Sequence, residues 1–178
     1  MSALATGAQS GQSVRMSENE AARRAPRAFH DTGSITVQAP VETVARFMTD
    51  QSNAEQCWGL SATTFEWKTS APLHVGSTFE ITVRLPQFTG SRSWRVEELV
   101  QTERLMLRSA YPTLSEITYH WSSEDSGGTA LSLRKYYLPS GPALVMGTLL
   151  KPVARWDTRH HLRRLKRILE SLDPKTAT

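Results

Sequence analysis

Residues 34–50, SITVQAPVETVARFMTD, run a short alternating segment through a proline and straight into an amphipathic pattern. Ile35 and Val37 share one face of a strand, because successive side chains alternate across the pleat. Pro40 stops the ladder and suits a first helical turn, where a missing N–H costs nothing. Val41, Val44, Phe47 and Met48 then recur at helical spacing. A second short helix or turn is expected over 52–58, ending near Trp58 and Gly59.

Beyond this unit the period changes to two. Residues 62–69 pair Phe65 with Trp67, and residues 76–85 put Phe79, Ile81, Val83 and Leu85 on one face. Residues 91–99 offer Trp94 and Val96, residues 103–110 Leu105 and Leu107, and residues 115–122 Ile117, Tyr119 and Trp121. The run EDSGG at 124–128 is a turn, since glycine tolerates positive φ, and 129–138 then place Leu131 and Leu133 together. Alternating segments joined by short loops predict an antiparallel meander with one buried face.

Pro139, Gly141 and Pro142 end the sheet, and from about 143 to 172 the pattern is helical, with Pro152 expected to kink or split it. A helix of roughly 20 residues spans about 30 Å, the width of a curved six- or seven-stranded sheet. The economical arrangement wraps the sheet around that helix. The expected class is α+β: a curved antiparallel sheet of six to seven strands, two short helices after the first strand, and one long C-terminal helix. Residues 1–28 are Ser-, Ala-, Gly- and Arg-rich without a lasting apolar period and read as a disordered tail, with Met16 as an alternative start. Residues 29–173 read as one domain and 174–178 as a short C-terminal tail.

The formal charge of +4 divides unevenly: +2 over residues 1–28, −3 over 29–140 and +5 over 141–178. The basic excess belongs to the tail and the last helix, and reads first as a solvated face. One cysteine, Cys57, excludes an internal disulfide framework and a multi-cysteine zinc site. No apolar run approaches the roughly 20 residues needed to cross a bilayer, and no signal-peptide core is evident. A cytoplasmic protein is expected. Nucleic-acid binding is disfavoured because the strands lie in the net-acidic middle of the chain.

The order and spacing of three segments resemble the START-like, or SRPBCC, superfamily, and within it the polyketide cyclase/dehydrase-like branch. These are ITVQAPVETVARFMTD with Trp58 soon after, GGTALSLR at 127–134, and LRRLKRILE at 162–170. The resemblance covers residues 33–172 and implies a helix-grip fold with a deep, mostly apolar cavity between sheet and C-terminal helix. It implies a hydrophobic ligand: a lipid, a polyketide or another aromatic compound. Some members cyclise or dehydrate what they bind, while many only carry or sense it. No catalytic motif is shared across the branch, so none transfers.

On the long helix, Leu150, Ala154, Asp157, Thr158, His161, Leu165, Ile168 and Leu172 fall in one broad stripe. Asp157 and His161 are i,i+4 neighbours that could pair, either on the surface or as an acid–base dyad inside a cavity. Tyr119 or Tyr137 would then polarise a carbonyl. Leu149, Val153, Trp156 and His160 form a second stripe, read as core packing. An exposed Trp156 beside Arg155 and Arg159 would instead mark membrane or partner contact. The candidate ligand-binding set is Phe79, Ile81, Val83, Trp94, Val96, Leu107, Ile117, Tyr119, Trp121, Leu131, Leu133, Ala154 and Thr158, with Tyr137 as a further wall residue. Such aromatics suit an oxygenated aromatic or prenyl ligand.

No Walker, GxGxxG, GxSxG, HxH or HExxH motif is present, so no cofactor or metal is expected. Cys57 reads as a small packed residue. Three functions follow: ligand binding, a cyclase/dehydratase-type enzyme, and a non-catalytic protein or membrane interaction module using the basic helix.

Overall fold

The computed structural model describes residues 29–58, 63–85, 88–109, 114–138 and 143–172. Strand β1 (Phe29–Val37) leads into helix α1 (Val41–Thr49), a single 3-10 turn (Gln51–Asn53) and helix α2 (Ala54–Trp58). Six strands follow: β2 (Thr63–Trp67), β3 (Thr78–Leu85), β4 (Phe88–Val100), β5 (Arg104–Ser109), β6 (Leu114–Ser123) and β7 (Thr129–Leu138). Helix α3 (Ala143–Ser171) follows β7. The seven strands form one sheet in the order β1-β7-β6-β5-β4-β3-β2. Every neighbouring pair is antiparallel.

The opening unit forms as its pattern dictates. Pro40 stands immediately before α1, and its carbonyl accepts from the amides of Thr43 and Val44 at 3.0 and 3.1 Å. Helix α1 buries Val44, Phe47 and Met48, and Asp50 caps the next turn by accepting from the Ser52 amide at 2.9 Å. The junction between β1 and α1 lies against the hairpin that enters β7. Thr129 Oγ1 donates to the Ala39 carbonyl at 2.7 Å, and a Cβ on Gly128 would stand 2.9 Å from the Val37 carbonyl oxygen. Glycine is needed there for close backbone approach. Within the preceding turn, Gly127 takes φ 83°, the left-handed conformation expected of EDSGG.

Cross-strand pairs carry one apolar face across the sheet. Leu131 lies opposite Trp121, Leu133 opposite Tyr119, Leu105 opposite Tyr119 and Phe79 opposite Trp94. Helix α3 covers this face, burying Thr158, Leu162, Leu165 and Leu169. It crosses β1 where that strand has no side chain: a Cβ on Gly33 would meet Leu162 Cδ1 at 2.8 Å and Thr158 Cγ2 at 3.1 Å. Two further bonds pin its end, from Lys166 Nζ to the Thr36 carbonyl and from the Gln38 amide to Glu170 Oε1, each 2.8 Å.

Two expectations change. Pro152 does not split the last helix, which runs as one element from Ala143 to Ser171. The buried stripe is also turned relative to the expected one: Thr158 and Leu165 of that stripe are buried, but Leu162 and Leu169 join them while Leu172 is half exposed. The expected N-terminal and C-terminal tails, 1–28 and 174–178, lie outside the described residues.

Candidate functional site

The inner face is not filled along its whole length. A cavity of about 150 Å³ remains between α3 and strands β3 to β7. Phe79, Ile81, Trp94, Leu107, Ile117 and Tyr119 supply its apolar and aromatic walls. Lys135, Tyr137, Asp157, His160, His161 and Arg164 complete it. The strand residues arrive there by alternation: Lys135 and Tyr137 continue the inward set begun by Leu131 and Leu133. The helix residues arrive by turn spacing, with Asp157, His161 and Arg164 one turn apart.

Asp157 and His161 both line the cavity, but they do not form the expected dyad. Asp157 Oδ2 accepts from Lys135 Nζ at 2.6 Å, with the lysine side chain 6% and the aspartate side chain 32% exposed. His161 Nε2 instead shares a hydrogen bond with the Tyr119 hydroxyl at 3.1 Å. A buried ammonium demands a counter-charge more strongly than a neutral imidazole does, so Asp157 is drawn to Lys135.

Burial pushes the His161 pKa down to about 4; the Lys135 ammonium adds to this and Asp157 opposes it. The imidazole is therefore neutral near pH 7. Burial, then the Asp157 carboxylate, raises Tyr137 to about 12 against the opposing pull of Arg92. Tyr137 thus stays a neutral hydroxyl. Arg92 itself lies over the Trp94 ring, 5.4 Å from its centroid, and burial lowers its pKa.

Of the other predicted ligand residues, Val96, Trp121, Leu131, Leu133 and Thr158 do not line the cavity; they are sealed in the core. The backbones of Val83 and Ala154 belong to β3 and α3, but their side chains lie outside the described residues. Sequence reasoning missed Lys135, His160 and Arg164. Period-two alternation from Leu131 points to Lys135, but a lysine on an inward position reads as an exception until its partner is known. The second helical stripe also needs correction, for Trp156 is 63% exposed and stacks on His160 with ring centroids 5.1 Å apart. Cys57 is buried, and burial pushes its thiol up to about 12, which leaves it protonated and unreactive.

No family model matches the chain, and no curated protein matches it. Solved structures do. The Zhui aromatase/cyclase from Streptomyces sp. R1128 superposes with a TM-score of 0.68 at 13% identity, covering 85% of this chain and 99% of that one. TTHA0849 from Thermus thermophilus gives 0.64 at 16% identity over 82% and 99%. Ara h 8.0201 gives 0.59 at 8% identity over 81% and 99%. The fold is therefore the helix-grip fold of START-like proteins. At 8–16% identity these likenesses are likenesses of fold alone. Among the described residues no helix is long and apolar enough to cross a membrane.

Proposed function

We propose that the protein binds a small hydrophobic molecule, aromatic and carrying oxygen, in the cavity between the sheet and α3. One observation carries this reading: apolar walls converge on neutral hydrogen-bonding groups, His161 with Tyr119 and the Tyr137 hydroxyl, beside the Lys135–Asp157 pair. Apolar area supplies affinity in such a site, and a few polar groups set orientation. An apolar cavity of about 150 Å³ holds a single benzene-sized ring. A larger polycyclic ligand would require α3 or the strand ends to move.

The cyclase/dehydratase-type alternative rests on His161 standing inside the cavity. Its depressed pKa weighs against it, because a base that protonates only near pH 4 is poorly matched to proton abstraction at neutral pH. Binding is therefore the leading reading. Calorimetric titration with phenol and 4-methylphenol tests it. Saturable binding is expected, lost when Ile117→Trp fills the cavity and weakened by Tyr119→Phe. No saturable binding, or binding unchanged in Ile117→Trp, would overturn it. If wild type converted a bound polyketone that His161→Gln only bound, catalysis would take first place.

A further inference from the structure

The outer face of α3 presents a second feature, independent of what the cavity holds. Arg155, Arg159, Arg163 and Arg167 recur at every fourth position and all are exposed. The row extends about 18 Å along a straight helix. No carboxylate among the described residues pairs with any of the four. The one acidic residue in this stretch, Asp157, is engaged inward by Lys135. A surface row of this kind, with its charges left uncompensated, is complementary to an anionic plane.

The same face carries an apolar anchor. At about 100° per residue, Trp156, His160, Arg163 and Arg167 lie within one narrow stripe, with Arg159 beside it. Trp156 is the most exposed large apolar side chain described, at 63%, and its indole is held flat against the His160 ring at an interplanar angle of 14°. An indole with one apolar body and one polar tip is suited to the boundary between headgroups and acyl chains. His160 also lines the cavity, so this face borders the cavity mouth.

We propose that the Trp156–Arg167 face of α3 docks the protein on an anionic lipid surface, with Trp156 at the interface and the arginines on the headgroups. A membrane fits better than an acidic polypeptide because Arg159, Arg163 and Arg167 fall within about 80° of one helix face, with the exposed Trp156 indole among them. Docking there also sets the cavity mouth against the bilayer, from which a hydrophobic ligand would enter without crossing water.

The test is co-sedimentation of the full chain with phosphatidylcholine vesicles, with and without phosphatidylserine. Binding is expected only to the anionic vesicles, and should weaken as salt rises. Each arginine replaced among Arg159→Gln, Arg163→Gln and Arg167→Gln should lower affinity about fivefold. Brominated phosphatidylcholine in the anionic vesicles should quench tryptophan fluorescence in wild type, and that quenching should vanish in Trp156→Phe. All four positions are exposed, so circular dichroism should show the wild-type fold. Absence of anionic-vesicle binding overturns the proposal. So does binding that survives the triple arginine replacement, or quenching that survives Trp156→Phe. Capture of polyglutamate or RNA in preference to vesicles would also overturn it and reassign the face.

Discussion

Strand β7 carries two kinds of interior on one face. Its inward positions are Leu131, Leu133, Lys135 and Tyr137. The first two pair with Trp121 and Tyr119 across β6 and are closed from solvent. The last two pair with Ile117 and Ser115 and open onto the cavity. Helix α3 repeats the division: Leu165 and Leu169 press into the closed end, while Asp157 and His161 face the open one. One half of the sheet commits its apolar surface to packing. The other leaves it uncovered and places titratable groups there, which is how a single sheet can both stabilise a fold and accept a ligand.

The sharpest way to break this comparison is to truncate one residue in each half. Trp121 is fully buried, so Trp121→Ala should cost about 3–5 kcal/mol of stability. Ile117 is only partly buried and borders the void on one side, so Ile117→Ala should cost less, about 1–2 kcal/mol. Urea denaturation of both variants checks the pair. Equal losses would mean that the open half is packed like the closed one.

The next largest effect is the pH dependence set by His161. Its folded pKa of about 4 lies below the ordinary value of 6.5, so the unfolded chain binds the proton more readily. The stability it contributes is complete above pH 6.5 and is lost as pH falls toward 4. The span corresponds to about 3 kcal/mol at most. His161→Gln should flatten the stability profile across that window. An unchanged profile would place the imidazole in water, outside the cavity.

The smallest effect separates the two members of the ion pair. Asp157→Asn leaves the Lys135 ammonium, whose side chain is 6% exposed, without its counter-charge. Lys135→Met leaves Asp157, whose side chain is 32% exposed and can turn to water. The asparagine variant should therefore be the weaker of the two, by about 1–2 kcal/mol, discounted from the value for a fully buried pair because Asp157 is partly solvated. Thermal unfolding of both variants measures the gap. A reversed order would show that Lys135 has water of its own.

Much of this architecture was legible in the chain. The alternation of Phe79 and Ile81, of Ile117, Tyr119 and Trp121, and of Leu131 and Leu133 located the strands and their inward faces, and six of the expected ligand residues do line the cavity. Alternation could not divide those faces into packed and open halves. Val96, Trp121, Leu131 and Leu133 have the same local pattern as the lining residues and differ only in what stands opposite them. Trp156 was misplaced for a related reason: helical spacing groups it with Leu149 and Val153, but the face that α3 turns inward is set by its contact with Gly33 on β1.

Sequence alone determined the order of elements, because periods of two and of 3.6 are properties of neighbouring residues. It also determined the hairpin glycines and the basic charge of the last helix. Only the tertiary structure decided that Asp157 meets Lys135 rather than His161, that His161 meets Tyr119 across 42 residues, and where the void lies. Those outcomes depend on which groups lose water together, and that is known only once the sheet has closed on the helix.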